Sequence, residues 1–390
     1  MPASKPDPSG APGTSTGKPD EVKQRKAEHV AVALAHDVAA LQAASWGDVH
    51  LVHQALPEVD LEEIDTGVTF LGRRLRYPFV ISSLTGGHPD VAAINARLAA
   101  LAEEYGLAMG VGSQRAAIVA PELAATYAVV RERAPSAFLF ANIGAPQLIA
   151  QRRHPAFTTD DARQAVAMIR ADALIVHLNY LQEVAQPEGD RRARGCLAAL
   201  ERLAREIGLP VMAKETGAGI GYEQARTLAA AGVAAIDVGG AGGSSMAAME
   251  QHRAVDRGED QAAALGTLFR DWGIPTPVAV VETHAAAPDL PVVATGGLRS
   301  GLDAARALAL GATLVALGFP FLKAASEGEA ALHAFLERLI AELKAAMQLV
   351  GTADVAGLRR APVVVGGATR EWLDLRGFGD DLRAMARRGR

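Results

Sequence analysis

Eight short runs, apolar and often β-branched, recur along the chain, each bounded by Gly, Pro or Asn. They are "FVISS" (79–83), "LAMGVG" (107–112), "FLFANIG" (138–144), "ALIVHLN" (173–179), "PVMAKE" (210–215), "AAIDVGG" (234–240), "PVVATGG" (291–297) and "TLVALG" (313–318). None alternates polar with apolar positions, which is the pattern of strands buried on both faces of a parallel sheet. Between most of them apolar residues return at three- and four-residue steps, in 91–106, 161–171, 195–208, 222–232 and 302–312, the period of a helix with one buried face. Eight strands alternating with helices predict an α/β chain folded as a (β/α)8 TIM barrel. A doubly wound open sheet is the competitor. The count of eight, and the polar residues that follow many of the runs, favour the barrel, where those ends share one mouth.

Three stretches lie outside the repeat. Residues 1–20 are Pro, Gly, Ser and Thr with little to bury, and are expected to be disordered. Residues 21–76 form an N-terminal arm, and 241–290 separate the sixth and seventh strands by much more than one helix. An insertion of that length is often a lid or a binding loop. After the eighth strand an amphipathic helix (331–351) precedes a tail with "EWLDLRGFG". Residues 21–390 are thus expected to form a single domain.

Composition narrows the classes. The 390 residues are 49% hydrophobic and 21% charged, enough apolar material for a large core. The net charge of −5 comes without a long block of one sign, so no nucleic-acid stripe is predicted. No apolar run reaches membrane-spanning length. Cys196 is the single cysteine, which excludes an internal disulfide and a cysteine zinc cluster and suits the cytoplasm.

The chemistry gathers at the predicted strand ends: Ser83 and Thr85, Ser113-Gln114-Arg115, Asn142, His177 and Asn179, Lys214, Asp237, Thr295-Gly296-Gly297 with Arg299, and Gly318. Long polar side chains after buried strands need partners, either each other or a ligand. "ATGGLRSG" before a helix, with Ser300 and Asp303 as a capping-box variant, reads either as an ordinary tight turn or as a phosphate site on free N–H groups. Its place in the seventh loop of a barrel favours phosphate. A second glycine loop, "DVGGAGGSS" (237–245), suits a ligand with both a phosphate and a flat ring, whose negative charge Lys214 would neutralise. Arg25, Lys26 and His29 in the arm read as a solvated charged face or, with Arg115 and His177, as a second anion site. Glu183 is a weak single candidate for Mg²⁺ shared with substrate phosphates.

"RKAEHV", "SLTGG", "GVGSQR", "ANIGA", "HLNYLQEVAQPEGD", "AKETGAGI", "GAGGSS" and "ATGGLRSGLDAARALALGA" together resemble the type 2 isopentenyl-diphosphate delta-isomerases, in order from about residue 23 to the tail. "GSQR" with "HLN-x-LQE-x-x-QPEGD" is the specific part. The resemblance implies a barrel that binds FMN, reduces it with NADPH, uses Mg²⁺ and interconverts two five-carbon prenyl diphosphates. It implies FMN contacts at Ser83, Leu84, Thr85, Ser113, Asn142 and Lys214. Ser244, Gly297, Leu298, Arg299, Gly318 and Phe319 would take the FMN phosphate. It implies substrate contacts at Arg25, Lys26, His29, Ser113, Gln114, Arg115, His177 and Asn179, Gln182 beside the hydrocarbon, and Mg²⁺ on Glu183. His177, Asn179 and Gln182 would serve the reaction with the flavin as acid and base. A tetramer or octamer is also implied.

This chain departs from that pattern at four positions. Met246 and Ala218 stand where aromatics are common, Gly239 where Ser is frequent, and Tyr180 where Pro is. Fewer aromatics near the mouth would enlarge the hydrocarbon pocket and admit a longer prenyl diphosphate. The rival readings are an FMN-dependent 2-hydroxy-acid oxidase, an inosine-monophosphate-dehydrogenase-like enzyme and a non-catalytic flavin binder. The first needs a His-Gly-x-Arg pattern that "GGAGGSS" lacks. The second needs a loop cysteine, and Cys196 starts a helix instead. The third gives no reason to keep Arg25, Lys26, His29, Gln182 and Glu183 together.

Overall fold

A computed structural model of the chain describes residue 28 and residues 31–389. The expectation of disorder over 1–20 lies outside the described residues, as do Arg25, Lys26 and His29.

All eight apolar runs are strands of one closed parallel barrel. They are β1 (Phe79–Ile81), β2 (Ala108–Gly110), β3 (Phe138–Gly144), β4 (Ala173–Leu178), β5 (Val211–Glu215), β6 (Ala235–Asp237), β7 (Val292–Thr295) and β8 (Leu314–Leu317). The ring closes where β8 pairs β1, Val315 facing Phe79 and Leu317 facing Ile81. Burial on both faces explains the unbroken apolar runs: β1, β2, β3, β5, β6 and β8 are buried at every position. The periodic segments form the helices Ala92–Tyr105, Thr159–Ile169, Cys196–Glu206, Tyr222–Ala230, Gly301–Ala309 and Glu329–Leu349. Thr158 caps the second of these with a reciprocal box to Asp161, and Ser300 caps Gly301–Ala309 by accepting the Asp303 N–H at 3.1 Å.

The insertion between β6 and β7 is largely helical: Met246–Asp256, Asp260–Leu268 and Thr276–Ala286. Thr276–Ala286 packs against β7 and the helix Tyr222–Ala230. It shows no helical stripe in sequence because Thr276 through Thr283 are all buried.

The arm is more structured than its sequence pattern indicates. It carries an antiparallel hairpin, Val68–Phe70 with Arg73–Leu75. The turn puts Leu71 and Gly72 at φ 45° and 80°, the primed-turn conformation, reached without the Asn-Gly or Asp-Gly signal. A second antiparallel pair joins Val49–Leu51 to Val363–Val365, tying arm to tail. Nearer the N-terminus, residues 31–35 are helical, and Val32, Ala33 and Val38 pack on Met249 and Leu322. The backbone then stitches onto the glycine loop: Ala40 N–H donates to Gly243 O and Ser245 N–H to Val38 O, both at 2.8 Å. No helix among the described residues is long and apolar enough to cross a membrane.

Candidate active site

Residues following all eight strands, together with Ala33 of the arm, enclose one cavity of about 260 Å³. The predicted residues Ser83, Leu84, Thr85, Ser113, Arg115, Asn142, His177, Asn179, Gln182, Glu183, Lys214, Ser244, Gly297, Leu298, Arg299, Gly318 and Phe319 all line it. Gln114 does not. It is fully buried, its amide donates to Ala165 O at 2.7 Å and accepts the Asn142 N–H at 2.9 Å, and it braces the barrel wall.

One side of the cavity is a glycine cradle. Gly297 has φ 67°, and a Cβ there would overlap Ala44 and Gly242 O. Both conditions require glycine, so the β7 loop can lie directly on the loop after β6. The arm supports the same place, since Trp46 Nε1–H donates to Gly296 O at 3.2 Å. Gly239, at φ 46°, has no room for a Cβ beside Glu215 O, so the serine of the family pattern does not fit this backbone. Two residues that line the cavity, Ser83 and Thr295, have buried hydroxyls with no partner among the described residues.

Strand register aligns the chemistry across the barrel floor. His177, Lys214 and Asp237 are neighbours on β4, β5 and β6. Lys214 Nζ lies 3.1 Å from Asp237 Oδ2 and donates to Glu215 O at 2.9 Å. Asn142 Nδ2 donates to Val111 O at 3.0 Å, which leaves its Oδ1 as the acceptor for His177 Nδ1–H at 2.8 Å. That bond sets the imidazole tautomer. Burial pushes the Glu215 carboxyl up to about 7, against the three loop N–H groups of Ala218, Gly217 and Thr216 and the nearby Lys214.

The other side is polar and internally braced. Arg115 Nη1 contacts Asp190 Oδ2 at 2.6 Å, and the Gln147 amide donates to the same oxygen at 3.3 Å. Glu183 accepts the Asp190 N–H at 2.7 Å and the Asn179 amide at 2.9 Å. Gln182 Nε2 donates to Glu250 Oε1 at 2.8 Å. Glu250 is paired in turn with Arg253, a buried hub that also reaches Glu188 at 3.0 Å and Glu28 of the arm at 3.1 Å. Electrostatically this half is not cationic among the described residues: Asp190 offsets Arg115, and Glu183 adds a negative charge. An anion held here requires further cations.

The four departures resolve differently. Met246 lines the cavity, whereas Ala218 does not; Ala218 O accepts the Ile274 N–H beneath the insertion. Tyr180 turns away, its hydroxyl donating to Arg192 O at 3.0 Å and lying 2.7 Å from Cys196 Sγ. Sequence reading missed Gln147 and Gln186, which line the cavity, and Glu250, which holds Gln182 from behind it. Gln186 was within reach, since it follows Gln182 and Glu183 in one short motif; Glu250 was not, because only the folded insertion carries it to Gln182.

Residues 129–365 match the FMN-dependent dehydrogenase family. Among curated relatives, the isopentenyl-diphosphate delta-isomerase of Methanosarcina barkeri is 47% identical over 91% of this chain and 95% of its own. That of Methanoregula boonei is 50% identical over 90% and 96%, and that of Archaeoglobus fulgidus 46% over 91% and 99%. Solved structures share the fold at lower identity. A lactate oxidase from Pediococcus acidilactici has TM-score 0.62 at 17% identity, covering 90% of this chain and 94% of its own. A mandelate oxidase has 0.58 at 22%, covering 90% and 100%. With identity this high across nine-tenths of the sequence, on an FMN-dependent dehydrogenase barrel, the chain belongs to the FMN-linked isopentenyl-diphosphate delta-isomerase family.

Proposed function

We propose that the protein interconverts isopentenyl and dimethylallyl diphosphate by moving one double bond, with a proton added at one carbon and another removed two carbons away. The observation that carries this reading is a single mouth with a glycine cradle on one side and, facing it, Arg115, His177, Asn179, Gln182 and Glu183.

The residues present fit FMN. The Ser83 and Thr295 hydroxyls, unpartnered among the described residues, and a cradle that excludes any Cβ at Gly297 suit a flat polar ring with a phosphate tail. Ser83, Leu84, Thr85, Ser113, Asn142 and Lys214 would hold the ring. Ser244, Gly297, Leu298, Arg299, Gly318 and Phe319 would hold the phosphate. Bound and reduced, FMN supplies acid–base capacity at its N5 region. NADPH is the proposed reductant.

The chain's own residues orient and enclose. Asp237 holds Lys214 in place, so its positive charge is fixed toward the ring site. Ala33, Met246, Met249 and Leu322 form an apolar wall against which the hydrocarbon would lie. Glu250 anchors Gln182 beside it. The hydrocarbon has no polar handle, so alignment must come from the diphosphate. The offset charges on that side explain why Arg25, Lys26 and His29 and a Mg²⁺ shared with Glu183 are part of the proposal. No group of three metal-binding side chains exists among the described residues, and Mg²⁺ commonly takes one or two carboxylates plus substrate phosphates.

The 2-hydroxy-acid oxidase reading has less support. Among the described residues lining the mouth, His177 is the one histidine, and it lies on β4 rather than after a late strand. The test is incubation of purified protein with isopentenyl diphosphate, FMN, NADPH and Mg²⁺ without oxygen. Dimethylallyl diphosphate should form only with reduced flavin. Oxygen consumption with a 2-hydroxy acid, and no isomer, would overturn the proposal. Glu183→Gln should raise the Mg²⁺ concentration needed for half-maximal turnover at least tenfold; an unaltered requirement removes Glu183 from the metal. A cytoplasmic tetramer or octamer belongs to the same proposal and is checked by sedimentation.

A further inference from the structure

Gln186 ends the short helix Tyr180–Ala185. Pro187 follows, which disfavours helical backbone at 186, and the residue is extended at φ −77°, ψ 128°. Its main chain is committed: the N–H donates to Gln182 O at 2.9 Å, and Arg191 Nη2 donates to its carbonyl at 2.9 Å. The side chain is 2% exposed and lines the cavity beside Arg115, Asn179 and Glu183. Its Nε2 is buried and has no hydrogen-bond partner among the described residues. A buried amide donor left unsatisfied is costly, so a fold that holds one against a ligand cavity is completed by an acceptor from the ligand.

The charges around it indicate what that acceptor is. Asp190 offsets Arg115, and Glu183 is itself an acceptor that takes N–H groups from Asn179 and Asp190. A neutral donor adds attraction for an anion without the repulsion between crowded cations. We propose that Gln186 is a further substrate-binding residue, its Nε2–H₂ donating to an oxygen of the diphosphate. This rests on the isomerase reading above, and names one more contact of that same site.

The test uses FMN-loaded enzyme with Mg²⁺ and two probes, isopentenyl diphosphate and inorganic pyrophosphate, titrated calorimetrically. Gln186→Leu should weaken both by about tenfold or more, the usual range for a lost hydrogen bond to a charged group. The bound-flavin spectrum and FMN stoichiometry should not change. Gln186→Glu, nearly isosteric, should weaken both further and provides the reading if the leucine variant folds poorly. Unchanged affinities in a flavin-loaded variant would mean that the amide holds only an internal water, and would overturn the proposal. Weakening confined to isopentenyl diphosphate would place Gln186 on the hydrocarbon and overturn it equally. If wild-type enzyme binds neither probe, the isomerase reading itself falls, an outcome distinct from failure of Gln186 alone.

Discussion

Arg253 offers the most demanding test of how the mouth is assembled. It is 3% exposed and bonded to carboxylates from three segments: Glu250 in its own helix, Glu188 after β4 and Glu28 in the arm. Glu250 is fully buried, while Glu28 and Glu188 are about a quarter exposed at 26% each and are partly screened by solvent. Arg253→Met keeps much of the stem's packing and removes the charge. The main loss is then the buried pair, whose disruption leaves an uncompensated carboxylate and costs about 3–5 kcal/mol. At roughly 2 cal/mol/K of unfolding entropy per residue, a chain of this length loses close to 1 °C for each kcal/mol, so Tm should fall by about 4–6 °C at pH 7.

The sign of the pH effect follows from the same carboxylate. Without Arg253, burial raises the Glu250 pKa in the folded state above its unfolded value. The variant therefore recovers stability as pH falls and Glu250 takes up a proton, and its deficit should be smaller at pH 5 than at pH 7. The assay is thermal unfolding of the FMN-loaded protein at both pH values, with Glu250→Gln in the Arg253→Met background as a partial rescue. Because Glu28 anchors the arm, KM for isopentenyl diphosphate should also rise, with kcat less affected. A variant that melts within 1 °C of wild type, or shows the same deficit at both pH values, would refute the reasoning.

Two further outcomes are expected. Glu215, raised to about 7 from an ordinary 4.5, contributes stability that is present below pH 4.5 and is lost as pH rises through 7. Glu215→Gln should flatten the urea midpoint across that window, and an unchanged pH profile would show that the loop N–H groups outweigh burial. Gly297→Ala forces a Cβ into Ala44 and Gly242 O at a positive φ, a strain of about 1–3 kcal/mol. FMN affinity, measured by fluorescence quenching, should fall at least tenfold, while retention of flavin at wild-type affinity would remove the cradle from the cofactor site.

The barrel was legible from the pattern because six of its strands are buried at every position and the other two are buried except at their C-terminal ends. That requirement writes an uninterrupted apolar run, and eight of them leave little topological choice. Most strand-end residues were legible for the same reason: polar groups placed at the ends of such runs are carried to the shared mouth, Gln114 and Asp237 excepted. Legibility failed where the local signal was absent. Leu71-Gly72 makes a primed turn without the usual Asn, and Thr276–Ala286 is buried from Thr276 through Thr283 and has no helical stripe.

Which way each side chain points was decided only by tertiary structure. Gln114 sits between Ser113 and Arg115 in the sequence, yet both neighbours line the cavity while its own amide is used up on Ala165 and Asn142. Glu250 and Arg253 lie some seventy residues beyond Gln182, in an insertion whose sequence suggested a loop. They matter because chain folding brings a buried carboxylate to that amide and a guanidinium to the arm. Charge balance is likewise a property of the fold: Arg115 reads as a free cation in sequence, and Asp190, 2.6 Å away, cancels it. The apolar pattern determined the scaffold and the location of its mouth, because burial is a one-dimensional constraint on each strand. Partner choice among polar groups is a three-dimensional constraint, set by which segments pack together.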